Sequence, residues 1–428
     1  MINGACMIDM QELSARMDEM KRNVVSRGIQ CNVDEIVLAY SKYKACTQKL
    51  DSLRASMNQL SRKIGTDGSL DREAIQQASA LKRSIVELEP QEKIYRESFQ
   101  TAMLTLPNWI PSDTPQGLSD NENVEIKRWG ALPVIDNARD HLEIAQRLDL
   151  IDFESGTKVA GKKFYFLKNE AVMLDLALQA FALKIVQKHG FIPLQTPDLA
   201  KNSILEGIGF SPRGNESNIY RVESTDLSLI ATAEITVGGM HSDETLALDK
   251  LPLKYVALSH CFRTEAGASG RTSKGLYRVH QFNKVEMFVF CAPEDSQRLH
   301  EEILQIEEEI YQLLNLPYRV LRICAGDLGA PASKKYDIEA WMPGKDGGEY
   351  GEVTSASNCT DFQARRLGIR YQNNDKSLRG YVHTLNGTAI ATSRVILAIL
   401  ENYQQPDGSV VIPQVLQDYM GLDSIKPR

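Results

Sequence analysis

The chain has 428 residues, a length that allows two or three domains with a large core. Charged residues make up 25% and hydrophobic residues 43% of the sequence, the balance of an ordinary globular protein. The formal net charge of −7 excludes a broadly basic, non-specific nucleic-acid binder, and it leaves open a local basic patch for one specific RNA.

The beginning of the sequence and the cysteines bear on the compartment. Asp9, Glu12, Asp18 and Glu19 give the first segment an acidic character that is wrong for a transit peptide or a signal peptide. No run of about 18 apolar residues occurs, so neither a transmembrane helix nor a membrane partner is expected. The seven cysteines form no C-x-x-C pair and no zinc spacing, which predicts reduced thiols and no zinc. We expect a cytoplasmic protein, with the mitochondrial or plastid matrix as the alternative.

Residues 34–106 have the periodicity of two long helices. Apolar residues recur at steps of three and four in both, which predicts the buried seam of an antiparallel coiled-coil hairpin. Glycines in the segment 64–71 predict the turn, and Pro90 predicts an interruption with a kink in the second helix. The residues alone also allow a dimerisation or spacer hairpin. The seam residues are Ile36, Ala39, Tyr43, Cys46, Leu50, Leu53, Met57, Leu60, Ile64, Ala74, Ala78, Leu81, Ile85, Leu88, Tyr95, Phe99, Ala102 and Leu106.

The stretch 106–130 contains three prolines and several turn residues, which indicates a domain boundary. We therefore predict an N-terminal helical domain over residues 1–110 and a second domain over residues 111–428. The second domain mixes the two periodicities, so the chain is predicted to be α+β. Its predicted helices cover 171–189, 296–314 and 389–403, and its predicted strands cover 251–264, 279–290, 319–324 and 348–355.

Two of these strands carry an unusual set of side chains on either side of a long loop. Alternation places Arg263 and Glu265 on one face of the first strand. It places Arg278, His280, Phe282, Lys284 and Glu286 on one face of the second. Such a face is a poor apolar core and suits a phosphorylated aromatic ligand, because arginine binds phosphate oxygens bidentately. A solvent-facing surface with ion pairs is the alternative. The loop adds glycines and cations, namely Gly267, Gly270, Arg271, Lys274 and Gly275.

The segment CFRTEAGASGRTSKGLYRVHQFNKVEMF, within about 258–290, resembles motif 2 of class II aminoacyl-tRNA synthetases, and specifically that of the seryl-tRNA synthetase family. GFIPLQTPDL (190–199) resembles motif 1, with Pro197 as its proline. TAE (232–234) is similar to the family's serine-binding element, and 351–366 and 384–413 resemble the last strand and motif 3. The hairpin resembles the family's tRNA-binding arm. The resemblance covers nearly the whole chain and is greatest to the organellar branch and its bacterial relatives.

This resemblance implies a fold and a reaction. The implied fold is an antiparallel sheet of six or seven strands flanked by helices, in a homodimer. The implied reaction activates L-serine with ATP to seryl-adenylate and then transfers the seryl group to the 3′ adenosine of serine tRNA. The selenocysteine tRNA is a further possible acceptor that the sequence leaves open. ATP and Mg²⁺ are the implied cofactors.

The resemblance also assigns residues to these roles. Arg263 and Arg394 are the implied catalytic residues, because fixed cations stabilise a crowded, charged phosphate centre. Glu352 and Ser355 are the implied Mg²⁺ positions, since Mg²⁺ prefers hard oxygen ligands. The implied ATP site is Arg263, Thr264, Glu265, Arg278, Val279, Phe282, Glu352, Val353, Thr354, Ser355 and Arg394. The implied serine site is Thr232, Ala233, Glu234, Arg263, Glu286, Asn386 and Thr388.

Three positions depart from the family's usual pattern. Thr388 stands where many relatives have serine, ATSR (391–394) stands where AVGR is commoner, and Pro90 lies in the arm. Two alternatives to an active serine–tRNA ligase therefore stay open. One is a duplicate enzyme that adenylates serine for another acceptor or resists a serine-analogue inhibitor, and the other is a non-catalytic tRNA-binding relative.

Overall fold

The computed structural model describes residues 8–67, 72–210, 218–265, 275–344 and 347–428, without the side chains of residues 64–67. Part of the predicted turn at 64–71 and most of the glycine-rich loop lie outside the described residues, including Gly267, Gly270, Arg271 and Lys274. The described chain divides into two compact units, one ending at Pro107 and the other beginning at Asn108.

The first unit is helical. The described residues form helices α1 (Met10–Ala15), α2 (Met17–Ser26), α3 (Val33–Asp67) and α4 (Arg72–Leu104). Asp9 caps α1, because its Oδ1 accepts a hydrogen bond of 2.8 Å from the backbone N–H of Gln11.

Helices α3 and α4 form an antiparallel hairpin, since early residues of one helix contact late residues of the other. Arg54 contacts Glu89 at 2.8 Å, and the rings of Tyr43 and Phe99 stack with their centroids 5.9 Å apart. Every predicted seam residue whose side chain is described is buried or partly buried, so the coiled-coil prediction is confirmed. α4 continues through Pro90, so the predicted interruption is wrong. A proline removes a single backbone donor, and the other hydrogen bonds of so long a helix remain. The kink stays a prediction.

The second unit mixes helices and strands. Its described helices are α5 (His141–Arg147), α6 (Phe153–Ala160), α7 (Glu170–Lys188), α8 (Asn202–Ile208), α9 (Ala233–Gly239), α10 (Ser296–Leu313), α11 (Phe362–Leu367), α12 (Thr392–Asn402) and α13 (Gln414–Met420). Its described strands are β1 (Val124–Trp129), β2 (Ile151–Asp152), β3 (Phe166–Leu167), β4 (Ile192–Gln195), β5 (Leu199–Lys201), β6 (Leu227–Leu229), β7 (Thr245–Ala247), β8 (Leu253–Phe262), β9 (Gln281–Cys291), β10 (Tyr318–Arg322), β11 (Lys334–Met342), β12 (Glu349–Thr360), β13 (Arg370–Gln372), β14 (Arg379–Tyr381), β15 (His383–Ala391), β16 (Val410–Val411) and β17 (Ser424–Ile425).

The main sheet of the described residues has eight strands in the order β1-β10-β11-β12-β15-β9-β8-β4. Neighbouring strands are antiparallel except β4, which pairs parallel with β8. The predicted architecture, an antiparallel sheet flanked by helices, is confirmed. Seven of the eight strands are antiparallel, which agrees with the expected six or seven, and residues 192–195 pair with 255–258 to add a parallel edge strand that was not predicted.

Strand β9 shows how the sheet separates the core from the polar face. Val285, Met287 and Val289 are fully buried in the apolar cluster that includes residues of α7, α10 and α12. Successive side chains of a strand point to opposite faces, so Lys284 and Glu286 lie on the other side of the sheet. That polar face carries the predicted site residues.

Two predicted elements of the second unit have one end that differs from the structure by three or more residues. The helix predicted from residue 389 begins at Thr392, because the residues up to Ala391 complete β15. The strand predicted to end at residue 355 continues to Thr360, because it pairs along its length with β11 and then β15. Both differences follow from pairing between distant segments, which local periodicity does not report.

Candidate active site

A cavity of about 350 Å³ opens on the polar face of the sheet. Two residues of the predicted site do not line it. The side chain of Ala233 is buried in an apolar cluster, and Thr264 uses its backbone N–H to bond the carbonyl of Asn218 at 3.2 Å. The predicted residues that line the cavity are Thr232, Glu234, Arg263, Glu265, Arg278, Val279, Phe282, Glu286, Glu352, Val353, Thr354, Ser355, Asn386, Thr388 and Arg394.

Arg263 directly follows β8 and is held by four contacts. Its backbone N–H donates to the carbonyl of His280 at 2.9 Å, and Nδ1 of His280 lies 2.7 Å from the carbonyl oxygen of Arg263. His280 therefore donates its ring N–H to that carbonyl. Nε of Arg263 donates to the carbonyl of Ala231 at 3.3 Å, and the guanidinium lies 5.3 Å from the ring centroid of Phe282. These contacts fix a cation beside an aromatic surface.

Glu265 occupies an unusual backbone conformation. Its φ of +51° lies in the left-handed region, which is costly for a residue with a side chain. Its carboxylate is largely buried and lies 3.7 Å from Nη1 of Arg278, and both residues line the cavity. The strained backbone thus places an acidic side chain next to a cation at the cavity wall.

Arg394 and Glu352 form an ion pair across two elements. Nη1 of Arg394, in the first turn of α12, lies 3.0 Å from Oε1 of Glu352 and also donates to the Glu352 carbonyl at 3.1 Å. The guanidinium lies 4.9 Å from the ring centroid of Tyr277. Burial raises the pKa of Glu352, but the charges of Arg394 and Lys335 outweigh burial and lower that pKa to about 2. Glu352 is therefore ionised. Burial alone would lower the pKa of Arg394, but the charge of Glu352 outweighs burial and raises that pKa.

Glu286 is the most enclosed acidic residue of the cavity. Its side chain is 3% exposed and lies 2.6 Å from Nζ of Lys284, which is 7% exposed. The hydroxyl of Thr388 donates to Glu286 Oε2 at 3.0 Å across the β9–β15 pairing. Thr354 in turn donates its hydroxyl to the Thr388 carbonyl. Glu286 is therefore a fixed acceptor held by one cation and one hydroxyl.

Glu234 lies in the first turn of α9, opposite Glu286. Oε1 of Glu234 accepts hydrogen bonds from Gln363 Nε2 at 2.7 Å and from Asn386 Nδ2 at 3.0 Å. Thr232 caps the helix, because its hydroxyl oxygen accepts from the Glu234 backbone N–H at 3.2 Å. Burial and the neighbouring Glu286 charge raise the pKa of Glu234 to about 7. Two carboxylates thus face one small, polar part of the cavity, which suits a ligand with an ammonium group.

Comparison with known proteins identifies this arrangement. A family model described as "Seryl-tRNA synthetase N-terminal domain" matches residues 7–110, and "tRNA synthetase class II core domain (G, H, P, S and T)" matches residues 220–403. The serine–tRNA ligase of Treponema denticola is 50% identical over 98% of this chain and all of that protein. The serine–tRNA ligase of Dictyoglomus thermophilum is 53% identical over 99% of this chain and all of that protein.

The chain belongs to the seryl-tRNA synthetase family. Solved structures of this family superpose over nearly the whole chain. A Pyrococcus horikoshii seryl-tRNA synthetase complexed with ATP covers 98% of this chain and 100% of its own, at 40% identity and a TM-score of 0.89. A cytoplasmic serine–tRNA ligase of Naegleria fowleri in complex with AMP covers 96% of this chain and 95% of its own, at 32% identity and a TM-score of 0.81.

The resemblance to the seryl-tRNA synthetase family did not yield every residue of the cavity. Lys284 lies between Phe282 and Glu286 on the same face of β9, so the period of two was a sufficient signal for it. Gln363 contacts Glu234 from a helix 129 positions later in the chain, and no local pattern indicates that contact. The cavity-lining residues missing from the prediction include Phe210, Tyr277, Lys284, Lys335, Ser357 and Cys359.

Metal and membrane features are limited in the part of the chain that the structure describes. Within it, no group of three or more His, Cys, Asp or Glu side chains is arranged to hold a metal ion. None of its helices is both long and apolar enough to cross a lipid bilayer. The cysteines of the described residues are thiols, and burial raises the pKa of the Cys261 thiol.

Proposed function

We propose that this chain is a serine–tRNA ligase. It activates L-serine with ATP to form seryl-adenylate and pyrophosphate, and it then transfers the seryl group to the 3′ adenosine of serine tRNA. The observation that carries the proposal is a single cavity that joins two kinds of site. Arg263 and Arg394 supply fixed cations for a triphosphate, and Glu234, Glu286 and Thr388 supply a small acidic pocket beside them.

The ATP part of the proposal uses the cationic end of the cavity. Arg263 contacts the α-phosphate and the serine carboxylate, and Arg278 and Arg394 contact the β- and γ-phosphates. The adenine ring stacks on Phe282, and its amine donates to Glu265. Arg263 already lies against the Phe282 ring, so one wall of the cavity presents both the cation and the aromatic surface that a nucleotide requires.

The serine part of the proposal uses the acidic end. The ammonium group of serine binds Glu234 and Thr232, and the hydroxyl of serine donates to Glu286. Lys284 and Thr388 hold the Glu286 carboxylate in place, so this acceptor is oriented before serine binds. A buried acceptor that loses its partner is costly, and the pocket therefore rejects alanine.

The chemistry needs no general base. The carboxylate of serine attacks the α-phosphorus, the bond to the β-phosphate breaks, and pyrophosphate leaves. A fixed guanidinium at Arg263 stabilises the negative charge that concentrates at that phosphorus. The enzyme therefore contributes position and charge.

Magnesium fits the residues beside the phosphates. Glu352 is ionised, since its pKa is lowered to about 2, and Ser355 lines the same wall. These are hard oxygen ligands, and Mg²⁺ needs few of them because it keeps several waters. When bound, Mg²⁺ neutralises phosphate charge. Glu352 also pairs with Arg394, so the same carboxylate would bind Mg²⁺ and orient the Arg394 guanidinium.

The helical arm is proposed to bind the tRNA. Eight cationic side chains of the arm are exposed to solvent, and they are the proposed phosphate contacts: Lys42, Lys44, Lys49, Arg54, Arg62, Lys63, Lys82 and Arg83. Deleting residues 34–106 should abolish serine transfer to tRNA and preserve serine-dependent ATP–pyrophosphate exchange. Equal loss of both activities in a folded truncation would contradict this division of labour.

A homodimer and a cytoplasmic location complete the proposal. The beginning of α7 exposes Val172, Met173 and Leu176, and β4 exposes Ile192, and exposed apolar groups of this kind favour self-association. Sedimentation of the purified protein tests the homodimer. The curated relatives of Treponema and Dictyoglomus come from bacteria, which supports the cytoplasm.

Serine-dependent ATP–pyrophosphate exchange tests the proposed activation step. We expect exchange with L-serine and at most traces with L-alanine, L-threonine or L-cysteine. A protein that exchanges with none of them would be a non-catalytic relative. A protein that exchanges with serine and fails to charge serine tRNA would be a duplicate with another acceptor.

A further inference from the structure

His141, at the start of α5, is buried together with the carboxylate of Glu401, near the end of α12. Glu401 accepts three hydrogen bonds. Its Oε1 lies 2.9 Å from Nδ1 of His141 and 3.0 Å from the His141 backbone nitrogen, and its Oε2 lies 3.0 Å from the Gly344 nitrogen. A carboxylate that accepts on both oxygens leaves Nδ1 of His141 as a donor, which fixes the tautomer of the imidazole.

The second nitrogen of His141 is consequently an acceptor, and it has a donor. The backbone N–H of Leu276 points at Nε2 of His141 at 3.3 Å in a buried environment. Leu276 belongs to the short 3₁₀ turn Gly275–Tyr277, which follows the glycine-rich loop of motif 2. At Gly275 the φ is +58°, and a Cβ there would lie 2.1 Å from Nε2 of His141. Glycine at this position is thus what allows the imidazole to approach the turn.

Residues near both ends of helix α12 hold this turn in place. Arg394, in its first turn, lies under the ring of Tyr277, with 4.9 Å between the guanidinium and the ring centroid. Glu401 lies seven residues later, roughly 10 Å along the helix, and holds His141, which bonds Leu276. Leu276 and Tyr277 are therefore both held by α12, Leu276 through His141 and Tyr277 through Arg394. The next residue, Arg278, lines the cavity.

We propose that His141 is a positioning residue for ATP, which acts by bonding the Leu276 amide and so fixes Tyr277, Arg278 and Arg394 around the phosphates. This inference rests on the proposed function. Glu401 sets the tautomer that makes Nε2 an acceptor. Displacement of a catalytic group by about 1 Å can cost a hundredfold in rate, so a turn that carries phosphate ligands benefits from such an anchor.

The first test replaces His141 by asparagine, which can still donate to Glu401 through Nδ2 and has no acceptor that reaches the Leu276 amide. We expect kcat/KM for ATP in pyrophosphate exchange to fall about tenfold or more, because a buried donor is left unsatisfied and the turn shifts. KM for serine should change less than twofold, since the serine pocket is formed by β9, β15 and α9. Amide hydrogen exchange should accelerate in the peptide that contains Leu276.

Matched variants separate this role from simple support of the fold. His189→Asn removes another His–Glu pair, 2.7 Å long and at the end of α7, and should leave the ATP constants unchanged. His141→Gln can place its amide oxygen near the former Nε2 position, so it should recover most of the loss. Gly275→Ala leaves the His141–Glu401 pair in place and crowds Nε2, and it should reproduce the ATP defect.

Three results would overturn the inference. One is an unchanged kcat/KM for ATP in His141→Asn or Gly275→Ala. Another is an equal loss in the serine and ATP constants together with faster amide exchange throughout the chain, which would mark a purely structural pair. The third is equal activity of His141→Gln and His141→Asn. A wild-type protein without serine-dependent pyrophosphate exchange would refute the proposed function instead. Amide hydrogen exchange at Leu276 would still decide whether His141 holds the turn.

Discussion

Replacing Lys284 by methionine tests the most enclosed ion pair of the cavity. The pair is 2.6 Å long, and its side chains are 7% and 3% exposed. Methionine keeps much of the length of lysine and removes its charge. Glu286 must then stay buried without its counter-ion or take up a proton, and only the Thr388 hydroxyl still donates to it in the described contacts.

The expected magnitude follows from burial. Removing one partner of a buried pair costs about 3–5 kcal/mol in the free energy of unfolding. The serine hydroxyl also loses a well-oriented charged acceptor, worth about 1.5–3 kcal/mol, which corresponds to a roughly tenfold to hundredfold rise in KM for serine. KM for ATP should change little, because Lys284 lies at the acidic end of the cavity.

The assays are thermal unfolding and serine-dependent pyrophosphate exchange, with Lys168→Met as the control. Lys168 pairs with Asp149 at 2.5 Å, and both side chains are well exposed, so its loss should cost about 0–1 kcal/mol and leave KM unchanged. The double variant Lys284→Met/Glu286→Gln should regain stability relative to Lys284→Met, because the uncompensated charge is gone, and should not regain serine affinity. If Lys284→Met behaves like the control, the reasoning about this pair is refuted.

The remaining predictions concern Arg263, Arg394 and Glu234. Arg263→Ala should lower kcat for pyrophosphate exchange by about a hundredfold to a thousandfold in a folded protein; a loss below tenfold would contradict its role. Arg394→Lys loses the planar guanidinium that lies 4.9 Å from the Tyr277 ring centroid, so kcat/KM for ATP should fall at least tenfold, measured by pyrophosphate exchange at varied ATP. Burial raises the pKa of Glu234 to about 7, so KM for serine should fall as pH rises from 6 to 8, and Glu234→Gln should remove that dependence. Because this folded-state pKa exceeds the ordinary value of 4.5, Glu234 also makes the free energy of unfolding decline as pH rises from about 4.5 to 7.

Local periodicity predicted the parts of the fold that depend on neighbours in sequence. Apolar residues at steps of three and four predicted the seam of the arm, and the α3–α4 hairpin buries or partly buries these residues. The alternation in β9 put Phe282 and Glu286 on one face, and the pairing of β8 with β9 places them opposite Cys261 and Ala257. The motifs then named the candidate site residues, because their order along the chain matches a known family, and most of these residues line the cavity.

Contacts between distant segments could not be predicted from local sequence patterns. The pairing of Lys284 with Glu286 needs side-chain geometry that alternation leaves undefined. The contact of Gln363 with Glu234 and that of His141 with Glu401 join residues 129 and 260 positions apart. They depend on the order of strands in the sheet and on which helix covers which face. The parallel edge strand β4 was missed for the same reason.

We propose that one cavity activates serine and that the arm binds the serine tRNA that receives it. Charging of purified serine tRNA by the full-length protein, with labelled L-serine and ATP, tests that claim most directly. We predict serine-labelled tRNA that forms only with ATP present, and no charging of alanine or threonine tRNA under the same conditions. ATP-dependent serine activation with no labelled tRNA, or equal charging of the other tRNAs, would show that the protein is not a ligase specific for serine tRNA.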